Sequence, residues 1–110
     1  SLGLLNEIQR VEVARVLAAR LLKEGNRDRE RLNILFELLA SRPPNERERE
    51  ACLSLLSAMK ARYARSPADA GRLLAAGQAA GAPDLVQSDH AAWTQVAATV
   101  LASDAAISLY

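Results

Sequence analysis

The chain is poor in the residues that most often carry chemistry or cross-link a fold. Its 110 residues include one Cys, one His, one Trp, one Phe and two Tyr. A single thiol, Cys52, excludes an intrachain disulfide, a four-cysteine zinc site and a Cys-x-x-Cys-His haem attachment. No apolar run approaches the roughly 18 residues that a membrane-crossing helix needs. Ser1 to Asn6 lack a basic stretch leading into an apolar one, so any export signal is expected upstream of the given sequence. A glycine-rich phosphate loop is also missing.

What is present is aliphatic. Hydrophobic residues make up 50% of the chain and aromatic ones only 4%. A core drawn from Leu, Val and Ala favours helix on helix over stacked sheets. A chain of this length can bury roughly 65% of its unfolded surface around one core. The expectation is an all-α fold, a compact irregular bundle of four to five helices spanning residues 1–110 as one domain.

Charge is uneven along the chain. Residues 1–66 carry 13 Lys and Arg against 9 Asp and Glu, whereas residues 67–110 carry 1 against 4. The basic half does not read as a nucleic-acid surface, because Arg27, Arg29 and Arg31 alternate with Asp28 and Glu30 as a solvated helix start does. No nucleic acid is expected as a partner, and no membrane span.

Helix boundaries are written in capping residues. Asn6 with Gln9 makes a reciprocal cap, after which a helix runs from about Glu7 to a stop at Gly25. It is apolar on more than one side, through Ile8, Val11, Ala14, Leu17, Ala18, Leu21 and Leu22 and through Val13 and Val16, which implies contact from more than one side. A second helix starts near Asp28 and buries Leu32, Leu35, Phe36 and Leu39. Ile34 and Leu38 form a further stripe that points to a central position for it. Pro43-Pro44 ends it, and Asn45 with Glu48 opens a third helix from Glu46 to about Arg65. Cys52, Leu55, Leu56, Met59 and Tyr63 line that helix's apolar face. Ser66-Pro67 with Asp69 starts a fourth helix, anchored by Leu73 and Leu74 and ended at Gly77. Residues 77–88 read as a loop able to move or touch a partner, and a last helix from Ser88 or Asp89 sets Trp93, Val96, Ala97, Val100 and Leu101 on one stripe.

No constellation of catalytic, cofactor-binding or metal-ligating residues emerges. His90 lies in what reads as the first turn of the last helix, where the dipole disfavours an imidazolium, and is expected at the surface. Cys52, mid-helix on an apolar face, is expected as a packed thiol. Glu46, Glu48 and Glu50 interleave with Arg47 and Arg49 as a solvated helix start. Two residues are candidates for interaction. Arg42, on a rigid double-proline turn, can recognise a carboxylate or phosphate, its structural alternative being to bond the last carbonyls of the helix before it. Asp84 lies in the 77–88 loop.

Three segments together resemble the C-terminal domain of unknown function of planctomycete-type secreted proteins, some of which also carry cytochrome-c-like domains. They are Leu4-Leu5-Asn6 entering a helix with Ala18, Arg20 and Leu21-Leu22; Leu35 to Arg42-Pro43-Pro44 followed by Glu46 and Glu48; and Ala91-Ala92-Trp93-Thr94. Where that family often continues with Leu-Leu-Asn-x-Asp/Glu, this chain has Val100-Leu101-Ala102-Ser103-Asp104-Ala105. The resemblance implies an exported, periplasmic or extracellular parent of which this is the C-terminal piece, and it supplies no reaction. On that reading the partners are upstream domains of the parent or other proteins, and the function is non-catalytic packing or interaction. The alternatives are an active site completed by upstream sequence, through Arg42 or residues 77–88, and nucleic-acid binding through the arginine-rich half.

Overall fold

The computed structural model describes residues 5–103. Leu4, Asp104 and Ala105, which enter the resemblance, lie outside them. Five helices follow one another: α1 Glu7–Glu24, α2 Asp28–Ala40, α3 Glu46–Arg65, α4 Pro67–Leu74 and α5 Gln87–Leu101. There is no strand among the described residues, and the radius of gyration of 13.0 Å is that of a close-packed chain of this size. The all-α bundle expected from composition is what forms.

Local chemistry sets most of the boundaries. Asn6 Oδ1 accepts from Gln9 N at 2.7 Å while Gln9 returns a bond to Asn6 N, and Asn45 and Glu48 repeat the arrangement at α3. Each box satisfies two backbone donors that a helix start otherwise leaves open. Pro67 occupies the first position of α4, although the Ser66 side chain makes no capping bond. Gly25 ends α1 in an extended conformation rather than a left-handed one. Its lack of a side chain matters for space, since a Cβ there would come within 2.5 Å of Arg31 Cγ.

Two boundaries differ from expectation. α4 closes at Leu74, where the Ala75 N–H turns back to Gly71 and Arg72 carbonyls. Gly77 lies beyond it, at φ +79°, and its left-handed geometry redirects the chain towards α1 instead of capping α4. α5 begins at Gln87, one residue before Ser88, with Val86 as its cap residue.

α5 is the central helix, not α2. It packs most extensively on α1 and α3 and also meets α2 and α4. His90, Ala91, Ala92, Trp93, Thr94, Val96, Ala97, Val100 and Leu101 are all buried. Thr94 is fully buried, and its hydroxyl donates to the His90 carbonyl one turn back at 2.7 Å, leaving no unsatisfied polar group. α2, by contrast, leaves Leu38 39% exposed and buries one face only. Its second stripe does not make it central, since Ile34 is only half-buried.

The main core joins Ala14, Ala18 and Leu21 of α1, Leu32, Leu35, Phe36 and Leu39 of α2, Cys52 and Leu56 of α3, and Trp93, Val96 and Val100 of α5. Ala14 and Ala18 of α1, with Ala92 and Ala97 of α5, put small side chains in this core. A smaller cluster of Tyr63, Ala70 and Ala91 fastens α4 to α3 and α5. Burial of Cys52, reinforced by the Glu48 charge, pushes its thiol above the ordinary value, as suits a packed residue rather than a nucleophile.

Candidate functional site

Besides Arg49 of α3, whose Nε is buried without a partner among the described residues, charge enters the interior of the bundle at two places. The first is the junction of α1, the α4–α5 connection and α5. Glu12 and Arg15 are one turn apart on α1 and so share a face. Arg15 is 3% exposed, and its guanidinium donates to three loop carbonyls, from Nε to Ala76 O at 2.7 Å, from Nη1 to Ala80 O at 3.1 Å and from Nη2 to Ala79 O at 2.5 Å. Glu12 works in the opposite sense, its Oε2 accepting from the backbone N–H groups of Gln78 and Ala79. The loop is therefore clamped by both signs of charge, and its unpaired donors and acceptors find partners on α1.

His90 completes this junction. Helix α5 starts earlier than its sequence suggests, so His90 lies beyond the first three positions and faces inward at 3% exposure. Its Nε2 donates to the Arg15 carbonyl at 2.8 Å. The expected surface histidine is thus a buried link between α1 and α5. Two open clefts of about 570 and 350 Å³ meet at Gly81, Ala82 and His90.

The second place is Asp28. It accepts from Arg31 at 2.9 Å, from Lys60 of α3 at 3.0 Å and from the Trp93 indole at 3.4 Å. Burial opposes its ionisation, but the bonds from Lys60, Arg31 and Trp93 outweigh burial and hold the carboxyl below the ordinary aspartate range. The arginine-rich start of α2 is accordingly not all solvated. Trp93 is fully buried, as its stripe implied.

Comparison finds no matching family model, no matching curated protein and no matching solved structure. What the arrangement can do follows from its own chemistry.

Arg42 lies at the α2–α3 junction. It does not bond the last carbonyls of α2. Its Nη1 and Nη2 instead grip Glu48 Oε1 and Oε2 at 2.8 and 2.9 Å, and Nη1 also donates to its neighbour Pro43 O at 3.0 Å. The cause is the left-handed Ser41 at φ 58°, which ends α2 and turns the chain towards α3. The guanidinium stands 5.9 Å from the Phe36 ring centroid. The carboxylate that this planar fork recognises is therefore one of its own chain. The Arg42 bond holds the Glu48 carboxyl below its usual range, against a smaller opposing effect of burial.

Asp84 is exposed in a turn closed by Leu85 N to Ala82 O at 3.2 Å, with Pro83 before it. No hydrogen bond joins it to Arg42 among the described residues. Nor do the described residues bring three or more His, Cys, Asp or Glu together in a way that could hold a metal ion. No described helix is long and apolar enough to cross a membrane.

Sequence reasoning missed Glu12 and Arg15. One trace of them exists, since they place charges one turn apart on a helix that is apolar on either side.

Proposed function

We propose that the chain is a non-catalytic helical interaction module of a larger exported protein, docking on domains that precede it in the parent. The observation that supports this reading most directly is Ile8, which is 64% exposed at the N-terminal end of α1. It borders a groove of about 420 Å³ shared with α3 and α4, whose floor includes Val11, Tyr63 and Leu73 and whose rim carries Arg62 and Arg72. A preceding domain would enter the fold beside Ile8, because α1 is the element such a domain joins. An aliphatic side chain held in water at that point gains by being covered, by about 25 cal/mol for each Å² of apolar surface removed.

The use made of the polar groups supports the same reading. Arg15, Glu12, His90, Arg42 and Asp28 each bond to the chain itself, which is the deployment of a structural part. The resemblance to the C-terminal module of secreted proteins supplies the exported parent.

The test mixes this chain with the preceding part of the parent, produced separately, and follows backbone amide resonances. Association should perturb residues around Ile8, Val11 and Leu73, and Ile8→Glu should weaken it by at least about tenfold, or 1.4 kcal/mol, without lowering Tm. Absence of association at millimolar concentration, or association that ignores Ile8→Glu, overturns the reading.

A further inference from the structure

The larger cleft beside His90 has the construction of a small-molecule site. Leu74 of α4, Ala82, Pro83 and Leu85 of the connecting turn, and Gln87 and His90 of α5 line it. Its volume of about 570 Å³ falls within the range of ligand pockets. The walls are mostly aliphatic. They are also fixed, because Arg15 pins the segment leading into the turn at three carbonyls and the turn itself is closed by Leu85 N to Ala82 O. A rigid cleft loses little entropy when it is filled.

One polar group in the lining is out of the ordinary. The His90 imidazole is buried, and its Nε2 faces the Arg15 carbonyl, which can only accept. Nε2 therefore carries the hydrogen, and in the neutral ring Nδ1 is an acceptor. Nδ1 has no hydrogen-bond donor among the described residues, and the other polar side chain of the lining, the Gln87 amide, is exposed to solvent. An acceptor in an apolar cleft matches a ligand with a single donor.

Charge narrows the class. The exposed Asp84 is not among the lining residues, and the aliphatic walls penalise any ion stripped of water. Planar rings bury much apolar surface for few rotatable bonds.

We propose that this cleft binds a small neutral aromatic molecule bearing one hydrogen-bond donor, of the phenol or indole class, with the donor directed to His90 Nδ1. The site is independent of the docking face around Ile8.

Indole and 1-methylindole make the decisive pair of probes, since they share a shape and differ in the donor. Titrated into the isotope-labelled chain, indole should shift the amides of Ala82, Leu85 and Gln87 and the His90 Nδ1 resonance. 1-Methylindole should bind about tenfold more weakly, the equivalent of about 1.4 kcal/mol. His90→Gln keeps a donor towards the Arg15 carbonyl but offers no acceptor at the Nδ1 position, so it should abolish the preference for indole. Gly81→Phe, at a position where an added Cβ meets nothing within 4 Å, should block both probes. Equal affinity for the two probes on the native chain overturns the assignment whether or not His90→Gln folds. So do shifts confined to other surfaces, and so does the absence of any shift at the solubility limit of indole.

Discussion

Two connections in this bundle are held by charged side chains, and they differ in how far those side chains reach. At the α2–α3 turn, Arg42, Asn45 and Glu48 lie within six residues of one another, with Arg42 and Asn45 exposed and Glu48 partly buried. At the α4–α5 connection, Glu12 and Arg15 reach backbone groups more than sixty residues away, and Arg15 is buried. Both use carboxylates and guanidinium groups. The local arrangement fixes where a helix begins, whereas the distant one fixes where a segment without regular structure lies on the fold. Water can replace the first set of bonds when they break. In the second set it reaches the exposed Glu12 bonds but is largely kept from Arg15, which is 3% exposed.

The largest expected effect is therefore at Arg15. Arg15→Leu leaves the Ala76, Ala79 and Ala80 carbonyls without their donors, and should cost about 3 kcal/mol or more, seen as a Tm lower by more than about 10 °C. Arg15→Lys should recover only part of it, because an ammonium cannot span three carbonyls as the planar fork does. A loss no larger than that of an exposed arginine would remove the contrast between the two connections.

Next comes Gly77, whose φ of +79° and proximity to Glu12 leave no room for a side chain. Gly77→Ala should destabilise by about 2 kcal/mol in urea unfolding, and amide exchange at Gln78 and Ala79 should speed up more than elsewhere. Asn45→Ala, in the local connection, should cost about 1 kcal/mol through loss of the cap, with the exchange effect confined to the first turn of α3.

The smallest effect belongs to the Arg42–Glu48 pair and is best read through pH. Glu48 is held below its ordinary value of 4.5 in the folded chain, chiefly by Arg42. Its stabilising contribution is present above that value and is lost as pH falls through the depressed folded one. Glu48→Gln keeps an acceptor for Asn45 N but removes the ion pair, so its stability deficit should be small near neutrality and vanish as pH falls through the depressed folded value of Glu48. Asp28, also held low, should lose its contribution across the same acidic range in both proteins. Equal stability of Glu48→Gln and the native chain at every pH would assign the role of Glu48 to capping alone.

The same contrast of near and far explains what the sequence revealed. The two capping boxes, the full extent of α3, the stop before Pro43-Pro44, the packed Cys52 and the buried Trp93 all rest on spacings within one helix or turn. His90 was legible only as a surface residue, because its partner, the Arg15 carbonyl, is 75 positions away. Arg42 was recognisable as a fork on a rigid turn, but its partner Glu48 depended on the left-handed Ser41, which is not a glycine and so carries no mark. The clamped loop looked loose for a related reason. Its own residues hold few bonding groups beyond the backbone, and the side chains that clamp it sit on α1.

The central place of α5 carries a consequence for how the molecule comes into being. During synthesis the ribosome delivers α1 to α4 first, and the helix on which α1 and α3 both rest emerges after them. Until Trp93 and its neighbours leave the exit tunnel, the nascent chain holds apolar helix faces with no lasting cover and an Arg15 with no settled loop to grip. Domains that fold from the N-terminus as they are made can build up piece by piece. This one is finished at a stroke, when its last described helix arrives.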